Sequence, residues 1–310
     1  MKSKNFIASS ESLSINWFKS RAMVPLPYLL PDKNIRVFIT FCDQNSVGRI
    51  GSVDLSGDDL KIIKFSDHPL ISNGPKGSFS ELGVVSSSLL KIDKFLYLFY
   101  SAYSKAKNFL GYKISCGYGV SEDDGESFKN LSNYPLLDFD NNEKYIRSSP
   151  LIIKRGGKYY MYYQGSINSS LEQRYKKPIY GLKCIISDSM YDWSEIKSKI
   201  TLHPDLASGE LGITRGSIFF DKFKKLNLLY SSRSFLNKYQ IRHAKCDSLN
   251  QLFTRSDQDQ KIIKSTSDWD SNMQAFPSLI KIKDRNIIFY SGNDFGGSGF
   301  GYCVSFLSPI

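Results

Sequence analysis

Short apolar runs broken by polar turns recur along the whole chain, and five of them are dense in aromatic and branched residues. They are Arg36–Phe41, Phe95–Tyr100, Lys158–Tyr163, Lys225–Tyr230 and Asn286–Tyr290. Their last aromatics stand at 41, 100, 163, 230 and 290, which is 59, 63, 67 and 60 residues apart. Runs of this length and composition predict strands. Before each comes another short strand across a tight turn, such as Asp93-Lys94, Arg155-Gly156-Gly157 or Lys283-Asp284-Arg285, residue types suited to hairpins. A third strand follows each run: Arg49–Val53, Ile114–Val120, Gly181–Ile186, Gln240–Ala244 and Gly299–Val304. Then comes a polar corner and a short fourth strand. The corners Ser121–Phe128 and Ser187–Trp193 fall at matching places, as do the linker pairs His68-Pro69, Tyr134-Pro135 and His203-Pro204. No window sustains a 3.6-residue apolar period with caps, so helices are not expected.

A repeat of this size is the mark of a radial or stacked architecture. Five four-stranded antiparallel units in series predict an all-β, five-bladed β-propeller in one domain, with blades near 21–66, 79–132, 143–200, 210–264 and 270–310. Two β-sandwich domains are the alternative, but nothing marks a boundary near the middle. The last unit has little chain after its third strand. A stretch near Phe6 to Leu13 is the candidate for its missing outer strand, closing the ring.

One motif occurs twice without a gap: Glu81-Leu82-Gly83 through Leu90, and Glu210-Leu211-Gly212 through Phe219. In a propeller the first strand of each blade lines the axis, so residues at its start face the funnel. Those segments hold Glu81, Glu143, Glu210 and Asp270, with Arg21, Arg147 and Arg215, and Gln274. Converging carboxylates and guanidiniums are expensive to assemble without a ligand or mutual pairing. Glu81, Glu210 and Asp270 are therefore the candidate catalytic carboxylates, and Arg21, Arg147 and Arg215 the candidate anion binders. The structural alternative is that Glu81 and Glu210 pair with arginines and tie blades together. Trp269 could stack on a sugar ring. The run Gly296-Gly-Ser-Gly299 is not a phosphate loop, since no helix follows; as a tight turn it would bring Asn293 and Asp294 near the ligand. His68, His203 and His243 are not spaced as metal ligands or as a triad.

Composition adds two constraints. The 310 residues carry 41 basic and 30 acidic side chains, a net charge of +11, which suits an anionic partner or a lysine-rich soluble surface. No block of like charges resembles a nucleic-acid tail. No apolar run approaches a membrane span, and the polar start does not read as a secretion signal. The five scattered cysteines form no CxxC pair, so free thiols in the cytoplasm are expected, with no metal or cofactor.

The fivefold repeat, the Ser149-Pro-Leu-Ile152 strand start, the Ser187–Trp193 corner and the closing Tyr290-Ser-Gly-Asn-Asp-Phe-Gly-Gly-Ser-Gly-Phe-Gly-Tyr302 resemble the five-bladed propeller glycosidases. These include arabinanases and xylosidases, invertases, levansucrases and mannoside phosphorylases. The chain looks most like small members associated with bacterial surface-polysaccharide synthesis. The resemblance implies a carbohydrate-active enzyme that cleaves or transfers a glycosyl group in the central funnel. Arginines there would select an anionic sugar, phosphate or a sugar nucleotide. The arabinanase-like general base, an Asp just before the Pro of the first channel strand, is Leu26 here. Arg147 lacks the Asp that follows the corresponding invertase Arg. A non-catalytic glycan- or protein-binding propeller is the competing class. A sialidase-like hydrolase is a further one, because Ser121–Phe128 matches the Asp-box corner, itself a folding element.

Overall fold

The computed structural model describes residues 4–9, 13, 16–130, 133–167, 172, 175–193, 197–236, 238–256, 262–263, 267–305 and 307. Its strands fall in successive sets of four, joined as antiparallel hairpins. One strand stands outside chain order, the N-terminal strand β1 (Lys4–Ala8), which belongs to the last set. It pairs with the last strand of the chain, β20 (Phe300–Val304). The remaining order is regular. The first meander is β2 (Ser20–Leu29), β3 (Ile35–Cys42), β4 (Gly48–Leu55) and β5 (Ile62–Phe65). The next are β6 (Gly83–Ile92) to β9 (Lys129–Asn130), β10 (Arg147–Arg155) to β13 (Lys199–Leu202), and β14 (Glu210–Phe220) to β17 (Thr254–Arg255). The last is β18 (Ala275–Ile282), β19 (Arg285–Ser291), β20 and β1.

The first strands of the sets touch one another in sequence, β2 to β6, β6 to β10, β10 to β14, β14 to β18, and β18 returns to β2. The sets therefore close on themselves around an axis. The dense apolar runs are the second strands β3, β7 (Phe95–Lys105), β11 (Lys158–Ser166), β15 (Leu226–Ser234) and β19, buried against neighbouring sheets on both faces. This explains why they read as continuous rather than alternating. Among the described residues helical structure is confined to single turns, including Asn293–Gly296. In that turn Asp294 (φ 54°), Phe295 (φ 57°) and Gly296 (φ 79°) lie in the left-handed region.

A repeated polar device fixes the axis. Each first strand carries a β-bulge, seen as a register shift at Met23/Leu26, Ser86/Ser88, Ser148/Leu151, Thr214/Gly216 and Ala275/Ser278. The bulge lifts a backbone N–H out of its ladder, and a hydroxyl of the preceding set accepts it. Ser86 N–H donates to Thr40 Oγ1 (2.8 Å), Ser149 N–H to Ser101 Oγ (2.9 Å) and Phe276 N–H to Ser231 Oγ (2.7 Å). Val24 N–H donates to Ser291 Oγ (3.0 Å), joining the last set to the first. Between the third and fourth sets the same place holds Thr214 Oγ1–H donating to Gln164 Oε1. In three sets the acceptor is the serine that follows the last tyrosine of the dense run: Ser101, Ser231 and Ser291.

The Leu-Gly part of the duplicated motif is architectural. Gly83 (φ 131°) forms a parallel bridge to Gly48, where an added Cβ would meet the Val84 carbonyl at 2.7 Å. Gly212 bridges Tyr180 in the corresponding place, its Cα against the tyrosine ring. Only glycine permits these approaches.

The corner Ser121–Phe128 is a hydrogen-bonded turn that also clamps the first set. Asp123 Oδ1 accepts from Ser121 Oγ–H (2.6 Å) and Ser127 N–H (3.0 Å). Despite partial burial, these bonds hold its carboxyl down to about 2. From the first set, buried Arg36 donates to Asp54 through Nε (2.8 Å) and Nη2 (2.7 Å), to the Asp124 carbonyl (3.2 Å) and to Glu126 (2.5 Å). The Ser187–Trp193 corner is closed by the buried Trp193 indole, which donates to the Met190 carbonyl at 2.8 Å.

Candidate functional site

A cavity of about 560 Å³ lies at the axis, with lining residues from every set. It opens at the end where the first strands begin. Five cationic side chains line it: Arg21, Lys176, Lys177, Arg215 and Arg233. Six aromatics join them, Tyr103, Tyr112, Tyr180, Tyr239, Phe276 and Phe295, with Gln164, Ser148, Ser149 and Thr214 below. None of the described lining residues is Asp or Glu.

Neutral groups and ring faces stand against these guanidiniums. Arg215 donates Nη2–H to Ser101 Oγ (2.9 Å) and lies 5.4 Å from the Phe276 ring centre. Its Nε–H has no hydrogen-bond acceptor among the described residues. Burial lowers its pKa, because taking a guanidinium from water disfavours its charged form. Arg233 is buried, donates to the Pro178 carbonyl and lies 4.8 Å from the Tyr180 ring. Arg21 is exposed at the mouth, 5.9 Å from Phe295. The hydroxyls of Tyr180 and Tyr239 are bonded to each other at 2.8 Å, and burial raises both phenols above their ordinary range. Arg21 (φ 61°), Ser149 (φ 56°), Arg215 (φ 24°), Phe276 (φ 60°) and Phe295 (φ 57°) all line the cavity in the left-handed region. Such strain in non-glycine residues gathers where the surroundings over-determine the backbone.

The carboxylates named from sequence are placed elsewhere. Glu81 accepts from Gly77 N–H (2.9 Å) and Lys105 N–H (3.1 Å), which lower its pKa and staple the loop before β6 to the end of β7. Glu210 is buried, accepts from Asp205 N–H (2.7 Å) and pairs with Arg255 of its own set. Asp270 is buried and accepts from Tyr290 O–H (2.9 Å) and Gln274 Nε2–H (3.0 Å), which also accounts for Gln274. Glu143 repeats this arrangement with Tyr163 O–H (2.8 Å), Lys183 (2.9 Å) and Arg147 Nε–H (2.9 Å). Arg147 is further held by Asp140 and the Asp138 carbonyl. None of these groups lines the cavity, whereas Arg21 and Arg215 do. The pairing of Glu210 with an arginine lies within one set rather than between two.

Three other expectations meet a different geometry. Trp269 stacks on Tyr290 (5.0 Å) and meets the Phe6 ring at a tilt (5.9 Å) instead of facing the cavity. Asn293 Oδ1 accepts from Asn272 and Met273 N–H, both at 2.8 Å, so it ties two loops together. Asp294 is exposed, and from the glycine-rich turn it is Phe295 that reaches the lining. The five cysteines are free and buried, and among the described residues no His/Cys/Asp/Glu group could hold a metal ion. His243 is buried between Asn227 Oδ1 (3.0 Å) and Ser256 Oγ (2.7 Å). A neutral ring with its proton on Nε2 satisfies both. Burial lowers its pKa to about 4. The unfolded chain thus binds a proton near pH 6.5 that the folded chain refuses. Stability is expected to fall as pH drops from about 6.5 to 4, by roughly 1–3 kcal/mol. Urea midpoints across that range, compared with His243→Gln, check this; equal slopes in both proteins would reject it.

The cavity residues missed in sequence carried a repeat signal. Tyr112, Tyr180 and Tyr239 each open the third strand of a set, and Tyr103 and Arg233 each stand three residues past Tyr100 and Tyr230.

Comparison with known proteins places this architecture. No protein-family model matches the chain. Two uncharacterised proteins of Mycobacterium tuberculosis, from strains H37Rv and CDC 1551, are each 24% identical over 300 residues, 94% of either chain. Among solved structures, a glycosyl hydrolase from Bacteroides ovatus superposes with TM-score 0.71 at 15% identity, over 99% of this chain and 90% of that one. A member of the GH130 family of mannoside phosphorylases gives 0.71 at 14% identity, over 95% and 87%. A GH32 β-fructofuranosidase of Bombyx mori gives 0.70 at 14% identity, over 99% of this chain and 65% of that one. The fold is that of the β-propeller glycosidases.

Proposed function

We propose that the chain is a five-bladed propeller, each four-strand set one blade, and that it is a carbohydrate-active protein binding an anionic saccharide or sugar nucleotide at the axis. The observation that carries the ligand class is the lining: five cations, six aromatics and no carboxylate among the described residues. Guanidiniums fork onto carboxylate or phosphate, and Tyr and Phe faces suit sugar rings. In this reading Arg21, Arg215, Arg233, Lys176 and Lys177 hold the anion. If the protein cleaves or transfers a glycosyl group, the Tyr180–Tyr239 hydroxyl pair is the group in the cavity able to pass a proton. Glu210 and Asp270 keep structural roles. A pair of carboxylates has no support in the lining, and this favours a second reading, a binding propeller without turnover.

Thermal shift with uronic acids, sugar phosphates, sugar nucleotides and neutral oligosaccharides tests the ligand class. A ligand at 100 times its Kd stabilises by about 2.7 kcal/mol, so the anionic compounds should raise Tm by several degrees. A shift with the neutral series alone would reject it. Product analysis by mass spectrometry on the compounds that bind separates turnover from binding.

A further inference from the structure

The geometry points to a second subsite beside the cavity, one that takes further acidic residues of an oligomeric saccharide; it rests on the anionic-carbohydrate reading above. A groove of about 750 Å³ lies on the outer side of the cavity wall, bounded by Lys107, Lys113, Lys144, Phe139 and Tyr145. The wall is one layer of chain. Ile114 N–H donates to the Tyr145 carbonyl (2.8 Å), and Ile114 and Ile146 form a parallel bridge. Side chains alternate across a strand, so Tyr112, Ile114 and Ile146 line the cavity while Lys113 and Tyr145 line the groove. A chain leaving the cavity over this ridge enters the groove directly.

The groove's chemistry repeats that of the cavity. No ion pair engages Lys107, Lys113 or Lys144 among the described residues, and Lys113 Nζ lies 5.3 Å from the Phe139 ring centre. The carboxylate on its border, Asp140, is already held by Arg147. Three cations beside two half-buried rings suit a sugar bearing a carboxylate, sulfate or phosphate. A neutral glycan would leave the ammonium groups without a counter-charge.

Calorimetry with oligogalacturonates of one to six residues, at low and at physiological salt, tests the extension. Wild type is expected to bind the hexamer about tenfold or more tighter than the monomer, as linked subsites raise avidity. Lys113→Gln with Lys144→Gln should remove that gain and leave monomer affinity unchanged; both are surface changes that keep the fold, which circular dichroism verifies. Affinity independent of length, or a hexamer gain that survives the double substitution, overturns the extension while leaving the cavity reading intact. A hexamer that needs the lysines but binds Arg215→Met as tightly as wild type overturns both, and the absence of binding at every length overturns the extension.

Discussion

Arg215→Met is expected to weaken binding of the anionic ligand by tenfold to hundredfold, about the contribution of one hydrogen bond to a charged group. The same substitution is expected to raise the melting temperature of the ligand-free protein by roughly 2–4 °C, equivalent to about 1 kcal/mol in a chain of this size. The two effects share one cause. Arg215 is half-buried with its Nε wholly so, has a serine hydroxyl and ring faces for company, and among the described residues finds no acceptor for Nε. A cation whose folded pKa is depressed destabilises the fold at every pH below that pKa. A ligand anion restores the lost solvation; methionine, of similar length, abolishes the need for it. Calorimetry on both proteins with and without ligand checks the pair of effects. A variant that melts lower and binds normally would make Arg215 a structural residue.

Arg36→Met is expected to be the most destabilising single change, at about 3–5 kcal/mol, or a fall of roughly 10 °C in Tm. It removes both bonds to Asp54, whose buried carboxylate loses its partner, and frees the Ser121–Phe128 corner from the first set. The second substitution Asp54→Asn should restore much of the loss, because the cost lies in the unpaired charge more than in the missing contact. Urea unfolding of both single variants and the double gives the coupling energy. Additive effects would show that Arg36 acts by packing alone.

The strands were legible because aromatic and branched residues repeat with a constant spacing, and the turns between them carry hairpin residues. The placement of candidate side chains was less so. Residues at the start of a first strand do lie around the axis, but a bulge at Ser86, Ser149, Arg215 or Phe276 changes which side chain points inward. Sequence adjacency could not show that Arg215 faces the cavity while Glu210, five residues earlier, turns to Arg255. Nor could it show that Glu143 and Asp270 would each be claimed by a tyrosine twenty residues on, Tyr163 and Tyr290. The most informative cavity residues, Tyr180, Tyr239 and Arg233, come from second and third strands, outside the segments where a propeller's ligand contacts were sought.

Ser101 accepts both the Ser149 amide of the next set and the Arg215 guanidinium of the set beyond it. One hydroxyl thus sets the backbone of one rim segment and holds a cavity-lining guanidinium of another. A lineage altering its ligand by substitution around this cavity cannot treat the sets as interchangeable cassettes. A change at Ser101 rewrites three of them together, so new specificities should arise at the mouth, at Arg21 and the Lys176-Lys177 loop, before they arise at the floor.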